Sequence, residues 1–167
     1  MASLYSFIWI SVCILLQVMV FDHLHFYGSI VLVYLLPLMK MPVQIGRSFQ
    51  IFLGFICGLI VDIFSNSIGM HALTCTFTMW MRLPLLHMYI VSDEIKKGIP
   101  GLKKLGLPIF VKYSATVIAI HTILLYLIES FSMLNLLPML LRILVTFLLT
   151  LLFIVAYEFA LYNKNDH

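Results

Sequence analysis

Apolar residues in this chain run in six long stretches, separated by short groups of polar or helix-breaking residues. A helix that crosses a bilayer needs about 20 apolar residues, with a range of about 17–25. The pattern therefore predicts six transmembrane helices. They cover about Leu4–Phe21, Leu24–Met39, Ser48–Phe64, Met70–Val91, Leu107–Phe131 and Leu136–Tyr162.

The second and fourth stretches are less regular than the others. The second is short and carries Pro37 near its end, so a re-entrant segment is an alternative to a full crossing. In the fourth, Pro84 predicts a kink. The longest connection, residues 92–104, is basic and is broken by Pro and Gly. It fits either a short amphipathic turn on the membrane or a solvated loop.

Composition agrees with a membrane protein. Hydrophobic residues make up 63% of the 167 residues and charged residues 10%. Soluble domains have about 45–50% apolar residues and about 25% charged residues. A soluble fold of this length lacks the interior to bury so many apolar side chains. We therefore predict one all-α, polytopic membrane domain over residues 1–167.

The cationic residues lie in alternate gaps between the apolar stretches. Eight of the ten Lys and Arg residues follow this pattern: Lys40, Arg47, Lys96, Lys97, Lys103, Lys104, Lys112 and Lys164. Cationic loops stay cytoplasmic, so the alternation predicts six crossings with both termini inside. The net charge of +3 then reflects topology and attraction to anionic lipid, and does not indicate nucleic-acid binding.

Several ionisable residues fall at membrane depth, where each costs about 2.5–3.5 kcal/mol and usually faces the protein interior. We expect a buried polar cluster, chiefly in the outer half of the bundle, formed by Asp62, His71, Arg82, Glu129 and Arg142. Either Glu129 or Asp62 is a plausible partner for Arg142. The cluster either sets the register between helices or forms a polar pocket or partner-docking seam.

Small residues accompany Asp62 on its helix. Gly54, Gly58 and Asp62 are four residues apart and share one face, which predicts close approach of another helix. The residues after this helix, 65–67, suit a turn that caps the next helix. Gly69 permits a positive φ or a close backbone contact.

Motifs for catalysis or metal binding are missing from the sequence. Ser114 and His121 are seven residues apart on one predicted helix, beyond hydrogen-bond reach. His23 and His25 have no evident third metal ligand. We therefore predict no catalytic residues, no metal site and no cofactor.

The segment from Gly58 to Leu73 resembles the signature of the bacterial rod shape-determining protein family MreD. The matching residues are Gly58, Leu59, Asp62, Gly69 and Ala72. Chain length, the six-span pattern and the basic loop before the fifth helix are also similar to that family.

The resemblance implies a non-enzymatic inner-membrane component of the cell-elongation machinery. Its implied partners are an MreC-like bitopic membrane protein and, indirectly, MreB and the peptidoglycan synthases of elongation; membrane lipid is a further contact, and a homodimer is left open. The implied fold is similar to the substrate-binding membrane subunit of energy-coupling-factor vitamin transporters. A substrate-binding subunit of such a small-molecule transporter is therefore the alternative function.

Overall fold

The computed structural model describes residues 13, 17, 30–67, 69–90, 98–130 and 136–164. Within these residues the regular secondary structure is helical, without a strand. In chain order the helices are α1 (Leu35–Met39), α2 (Arg47–Ser65), α3 (Met70–Tyr89), α4 (Leu102–Leu105), α5 (Leu107–Ser130) and α6 (Leu136–Lys164).

Three segments are long and apolar enough to cross a membrane: Arg47–Ser65, Leu107–Ser130 and Leu137–Tyr162. They lie in α2, α5 and α6, whose bounds agree with the predicted third, fifth and sixth stretches to within two residues. The all-helical class and the membrane character are thus confirmed, and the count of six spans stays a prediction. The first predicted stretch lies outside the described residues except for Cys13 and Gln17, and so do Lys96 and Lys97.

The fourth predicted stretch forms α3, which contains Pro84 and ends two residues before the predicted Val91. This helix is 20 residues long but is not among the three apolar spans. Buried polar side chains on α3, including His71 and Arg82, account for its lower hydropathy. They face the protein interior, where other elements supply hydrogen-bond partners.

The second predicted stretch is not a continuous helix over its described part, which corrects the sequence-based prediction. Residues 30–34 are non-helical, and only Leu35–Met39 forms a helix. Backbone N–H groups of this irregular segment donate to side chains elsewhere: Leu32 N to Thr150 Oγ1 at 3.1 Å and Val33 N to Gln17 Oε1 at 2.7 Å. Non-helical backbone is tolerated at membrane depth when it is buried in protein and satisfied in this way.

The α2–α3 hairpin is the most closely packed part of the structure. A Cβ atom on Gly58 would lie 2.4 Å from the His71 carbonyl oxygen and 2.5 Å from Ala72 Cα. On Gly54 it would lie 2.6 Å from Met79 Cγ. The predicted glycine stripe therefore brings the backbones of α2 and α3 into direct contact.

Helix α3 lies between α2 and α5, and α6 packs against the other side of α5. The irregular segment and α1 insert into the core beside these helices, so that residues 32–36, 38 and 39 are buried. The three described cysteines, Cys13, Cys57 and Cys75, are free and buried, as is common for small packing residues.

One end of the bundle gathers the cationic segments. The ammonium group of Lys40 pairs with Glu158 near the end of α6, and the other Glu158 oxygen accepts a hydrogen bond from Leu102 N at 3.1 Å. In α4, Leu102 and Leu105 are buried while Lys103 and Lys104 are exposed. The described part of the basic loop therefore contains a short amphipathic helix whose apolar side packs on the protein core.

Replacing Gly58 with alanine should lower the free energy of unfolding by about 1–3 kcal/mol, because the added methyl group meets the backbone of α3, which cannot move aside. The measurement is SDS-induced unfolding of the purified protein in detergent. Gly46→Ala is the control, since nothing lies within 4 Å of its Cβ position. Gly46 is the N-cap of α2, where alanine should cost about 1 kcal/mol or less. Equal losses in the two variants would contradict the close contact.

Candidate functional site

Asp62 caps the start of α3 from the last turns of α2. Its Oδ1 accepts hydrogen bonds from Ser67 Oγ at 2.6 Å and His71 N at 3.0 Å, and its Oδ2 accepts one from Ala72 N at 2.8 Å. The first N–H groups of a helix lack partners within the helix and carry partial positive charge. The 5%-exposed carboxylate therefore stabilises the helix start and is itself stabilised there.

The turn between α2 and α3 has the backbone that this cap requires. Asn66 adopts a left-handed conformation with φ 53°, and its N–H donates to the Asp62 carbonyl oxygen. Gly69 is also left-handed, with φ 70°, a conformation in which glycine is the least strained residue. The turn residue Ser67 acts by donating to Asp62, so the capping group of α3 is the aspartate of the preceding helix.

The predicted pairing of Asp62 with Arg142 does not form among the described residues. The acceptor capacity of Asp62 is used within its own hairpin. Arg142 Nη1 lies 3.6 Å from Glu129 Oε1, across the connection between α5 and α6. Both side chains of that pair are more than 40% exposed, so Glu129 and Arg142 do not belong to a buried cluster.

His71 takes part in a second polar feature, a buried chain of side-chain hydrogen bonds. Tyr34 Oη lies 2.9 Å from His71 Nδ1 and 2.8 Å from His121 Nε2. His121 Nδ1 lies 2.9 Å from Thr78 Oγ1, which is 2.7 Å from the Thr74 carbonyl oxygen. This Tyr34 chain joins the irregular segment to α3 and α5.

The hydrogen atoms of the Tyr34 chain have a single consistent order when both imidazoles are neutral. A carbonyl oxygen only accepts, so Thr78 donates to Thr74 and accepts from His121 Nδ1–H. His121 Nε2 is then an acceptor for the Tyr34 hydroxyl, which in turn accepts from His71 Nδ1–H. Every donor in the chain points the same way, which fixes the tautomer of each imidazole.

Arg82 occupies a third place, nearer the cationic end of the bundle. Its guanidinium, 1% exposed, donates to Gln50 Oε1 at 2.5 Å, to the Met39 carbonyl oxygen at 3.0 and 3.2 Å, and to the Met41 carbonyl oxygen. Gln50 is oriented by its own bond to Ile45 O at 2.6 Å. Arg82 thus donates to carbonyl oxygens at the C-terminal end of α1, where the helix dipole favours a cation.

The five residues of the predicted cluster therefore separate into different sites. Asp62 and His71 are adjacent, since the His71 N–H donates to Asp62. Arg82 holds the end of α1, and Glu129 and Arg142 form a surface pair. One buried cluster of all five does not form, because helical spacing gives the face of each residue but not its distance from residues on other helices.

Several partners in these sites were missed by the sequence analysis. They are single polar residues within apolar stretches or beside helix starts, without a motif: Gln17, Tyr34 and Gln50. The sequence signal for these partners was a glutamine or tyrosine within a predicted membrane segment. Such a side chain requires a hydrogen-bond partner when it is buried. In the described part of the chain, Ser114 Oγ has no such partner, so no Ser–His dyad forms with His121.

A groove of about 1220 Å³ runs along α3 between α2 and α5. Phe55, Leu73, Phe77 and Trp80 are among the apolar residues that line it, with Leu124 on the α5 side. Two threonines in the groove, Thr74 and Thr76, donate to carbonyl oxygens of their own helix at 2.6 and 2.7 Å. The surface of this groove is accordingly apolar.

One end of this groove lies at the turn between α2 and α3. Leu59, Asp62, Gly69 and Ala72 are among its lining residues. At the opposite end Arg47 donates to the Trp80 carbonyl oxygen at 3.1 Å, and its guanidinium lies 5.6 Å from the centre of the Trp80 ring. No group of three or more potential metal ligands occurs within the described residues.

Asp62→Ala should lower the free energy of unfolding by about 2–4 kcal/mol, because the change removes a helix cap and leaves buried N–H groups without an acceptor. The control is Glu129→Ala, which removes an exposed carboxylate and should cost about 0–1 kcal/mol. SDS-induced unfolding measures both. A loss for Asp62→Ala no larger than that for Glu129→Ala would refute the cap.

Tyr34→Phe should cost about 1–3 kcal/mol, since it removes the hydroxyl that joins two buried imidazoles. Tyr89→Phe is the matched control: its hydroxyl bonds Thr116 Oγ1 at 2.7 Å in a partly buried position, and its loss should cost about 1 kcal/mol or less. Thermal unfolding in detergent compares the two. If Tyr89→Phe proved the more damaging, the Tyr34 chain would not be a main contributor to stability.

No family model matches the chain, and no curated protein or solved structure matches it.

Proposed function

We propose that this chain is a non-enzymatic inner-membrane component of the bacterial cell-elongation machinery, similar to MreD, that scaffolds peptidoglycan synthesis with an MreC-like bitopic partner. One observation carries the proposal. Four of the five positions that resemble the MreD signature line the groove along α3, which we call the docking groove: Leu59, Asp62, Gly69 and Ala72. The fifth, Gly58, allows the close helix contact that forms one wall.

The shape of the docking groove suits a transmembrane helix of the partner. Its α2 wall extends from Ile51 to Ile63, which at about 1.5 Å per residue is about 18 Å long. Ala72 and Thr76 contribute small side chains along α3, and Gly69 lies just before this helix. Small residues allow helices to approach closely in membranes, where packing drives association.

Six crossings with both termini in the cytoplasm belong to the same proposal. Lys40, Lys103 and Lys104 meet near the end of α6, and Glu129 and Arg142 pair at the start of that helix. A cytoplasmic location for the lysine-rich end follows from the distribution of cationic residues. Under this orientation the Asp62 turn faces the periplasmic side.

The buried polar groups favour a scaffold over the transporter alternative. A substrate-binding subunit needs polar side chains directed into its cavity. Among the described residues, Tyr34 bonds to His71 and His121, and Asp62 bonds to an N–H group of its own hairpin. The threonines of the docking groove are likewise satisfied within α3. These groups hold helices together, which is what a rigid docking subunit requires.

Co-purification with the MreC-like protein of the same host tests this function. Leu73→Trp should fill the docking groove, where Leu73 is 61% exposed, and should reduce the recovered partner by about tenfold, a cost of about 1.4 kcal/mol. Leu152→Trp is the control, because Leu152 is 69% exposed on α6 and lies away from the groove. It should leave recovery unchanged.

Cell shape supplies a second readout of the same experiment. Depletion of the protein in a rod-shaped host should produce wide or round cells, and the Leu73→Trp variant should fail to restore rods while Leu152→Trp restores them. Failure of the unmodified protein to retain the MreC-like partner would overturn the proposal. Normal shape together with lost vitamin uptake would instead favour the transporter subunit.

A further inference from the structure

A second concave surface lies where the basic loop meets the end of α6. This lysine groove has a volume of about 470 Å³, and its lining includes Lys40, Lys103, Lys104, Glu158, Ile99 and Tyr162. It shares no residue with the docking groove. Its properties therefore bear on a separate interaction.

The lysine groove has an excess of positive charge at its surface. Three ammonium groups and one carboxylate leave a net charge of +2. The carboxylate of Glu158 is 5% exposed, and its two oxygens are occupied by Lys40 and by Leu102 N. Among the described lining residues, an incoming anion would therefore meet lysine side chains, with the Glu158 carboxylate turned inward and paired with Lys40.

The orientation of Lys103 and Lys104 follows from the short helix α4. Leu102 and Leu105 are each 7% exposed and anchor the helix to the core. The two lysines between them are exposed. Burial of the leucines thus holds two adjacent cationic side chains at the mouth of the groove.

Apolar surface accompanies these charges at the boundary of an apolar span. The span Leu137–Tyr162 ends at the groove. Tyr162 and Ile99 are 44% and 45% exposed there. Tyrosine is enriched at the level of lipid headgroups, where its ring and hydroxyl meet different environments. Phosphate groups and the first part of acyl chains occur together at this depth.

We propose that the lysine groove binds an anionic phospholipid, with the headgroup phosphate at Lys103 and Lys104 and the acyl chain against Ile99 and Tyr162. The combination of cationic and exposed apolar side chains at one site is the reason for choosing a lipid. A soluble phosphate would use only the lysines, and an acidic peptide would leave the apolar side chains uncovered. Binding at this site does not depend on the proposed scaffold function.

Native mass spectrometry of the purified full chain in detergent tests the site, with dioleoyl phosphatidylglycerol as probe and dioleoyl phosphatidylcholine as reference. Wild-type protein should retain phosphatidylglycerol in preference to phosphatidylcholine. The K103Q/K104Q variant should bind it about 30-fold more weakly, at roughly fivefold per lysine. Lys112→Gln is the control, because Lys112 is an exposed cation on α5 outside the groove, and it should bind like wild type.

Equal weakening by K103Q/K104Q and Lys112→Gln would overturn the proposal, since it would show attraction to charge without a site. Unchanged binding in K103Q/K104Q would do the same.

Glycerophosphoglycerol, which lacks acyl chains, should compete poorly; competition as strong as that of the lipid would reassign the groove to soluble phosphates. A glutamate-rich peptide that displaces the lipid at equal concentration would reassign it to an acidic protein segment. Unfolding midpoints are measured for every variant, so that lipid binding is compared between folded proteins.

Discussion

The carboxylate of Asp62 at the start of α3 is the contact on which the α2–α3 hairpin depends. Inside a membrane protein, the first N–H groups of a helix have little water to bond, and each unsatisfied group is costly. Asp62 supplies acceptors for two of them and for the Ser67 hydroxyl. This cap sets the register in which Gly58 meets Ala72, and that register forms the wall between α2 and α3 in the docking groove.

Buried polar groups elsewhere join the remaining elements to this hairpin. Arg82 binds the carbonyl oxygens at the end of α1, and Tyr34 bonds to imidazoles of α3 and α5. Thr150 and Gln17 accept from the backbone of the irregular segment. Because lipid offers no competing hydrogen bonds, these contacts specify which segments meet, while apolar packing alone would allow several arrangements. These bonded polar groups hold the described segments together in the interior.

The proposed activities occupy different surfaces of this framework. The docking groove follows α3 on the side of the bundle, whereas the lysine groove lies where the basic loop meets α6. Glu158 connects the second surface to the core, since it holds Lys40 and Leu102 together. A lipid at the lysine groove would therefore contact the segment that links α3 to α5. The partner helix and the lipid would bind without competing for the same side chains.

Local properties of the sequence determined the class of the protein, the bounds of α2, α5 and α6, and the glycine face of α2, because length, hydropathy and helical period depend on neighbouring residues. Only the tertiary structure decided the partners of the buried polar groups. The spacing around Asp62 suited an arginine as well as a helix start, and Tyr34 lay in a stretch that the apolar pattern predicted as a helix. Carboxylates and hydroxyls can be satisfied by many donors. The choice among them depends on which distant segments pack together, and that information is absent from the local pattern.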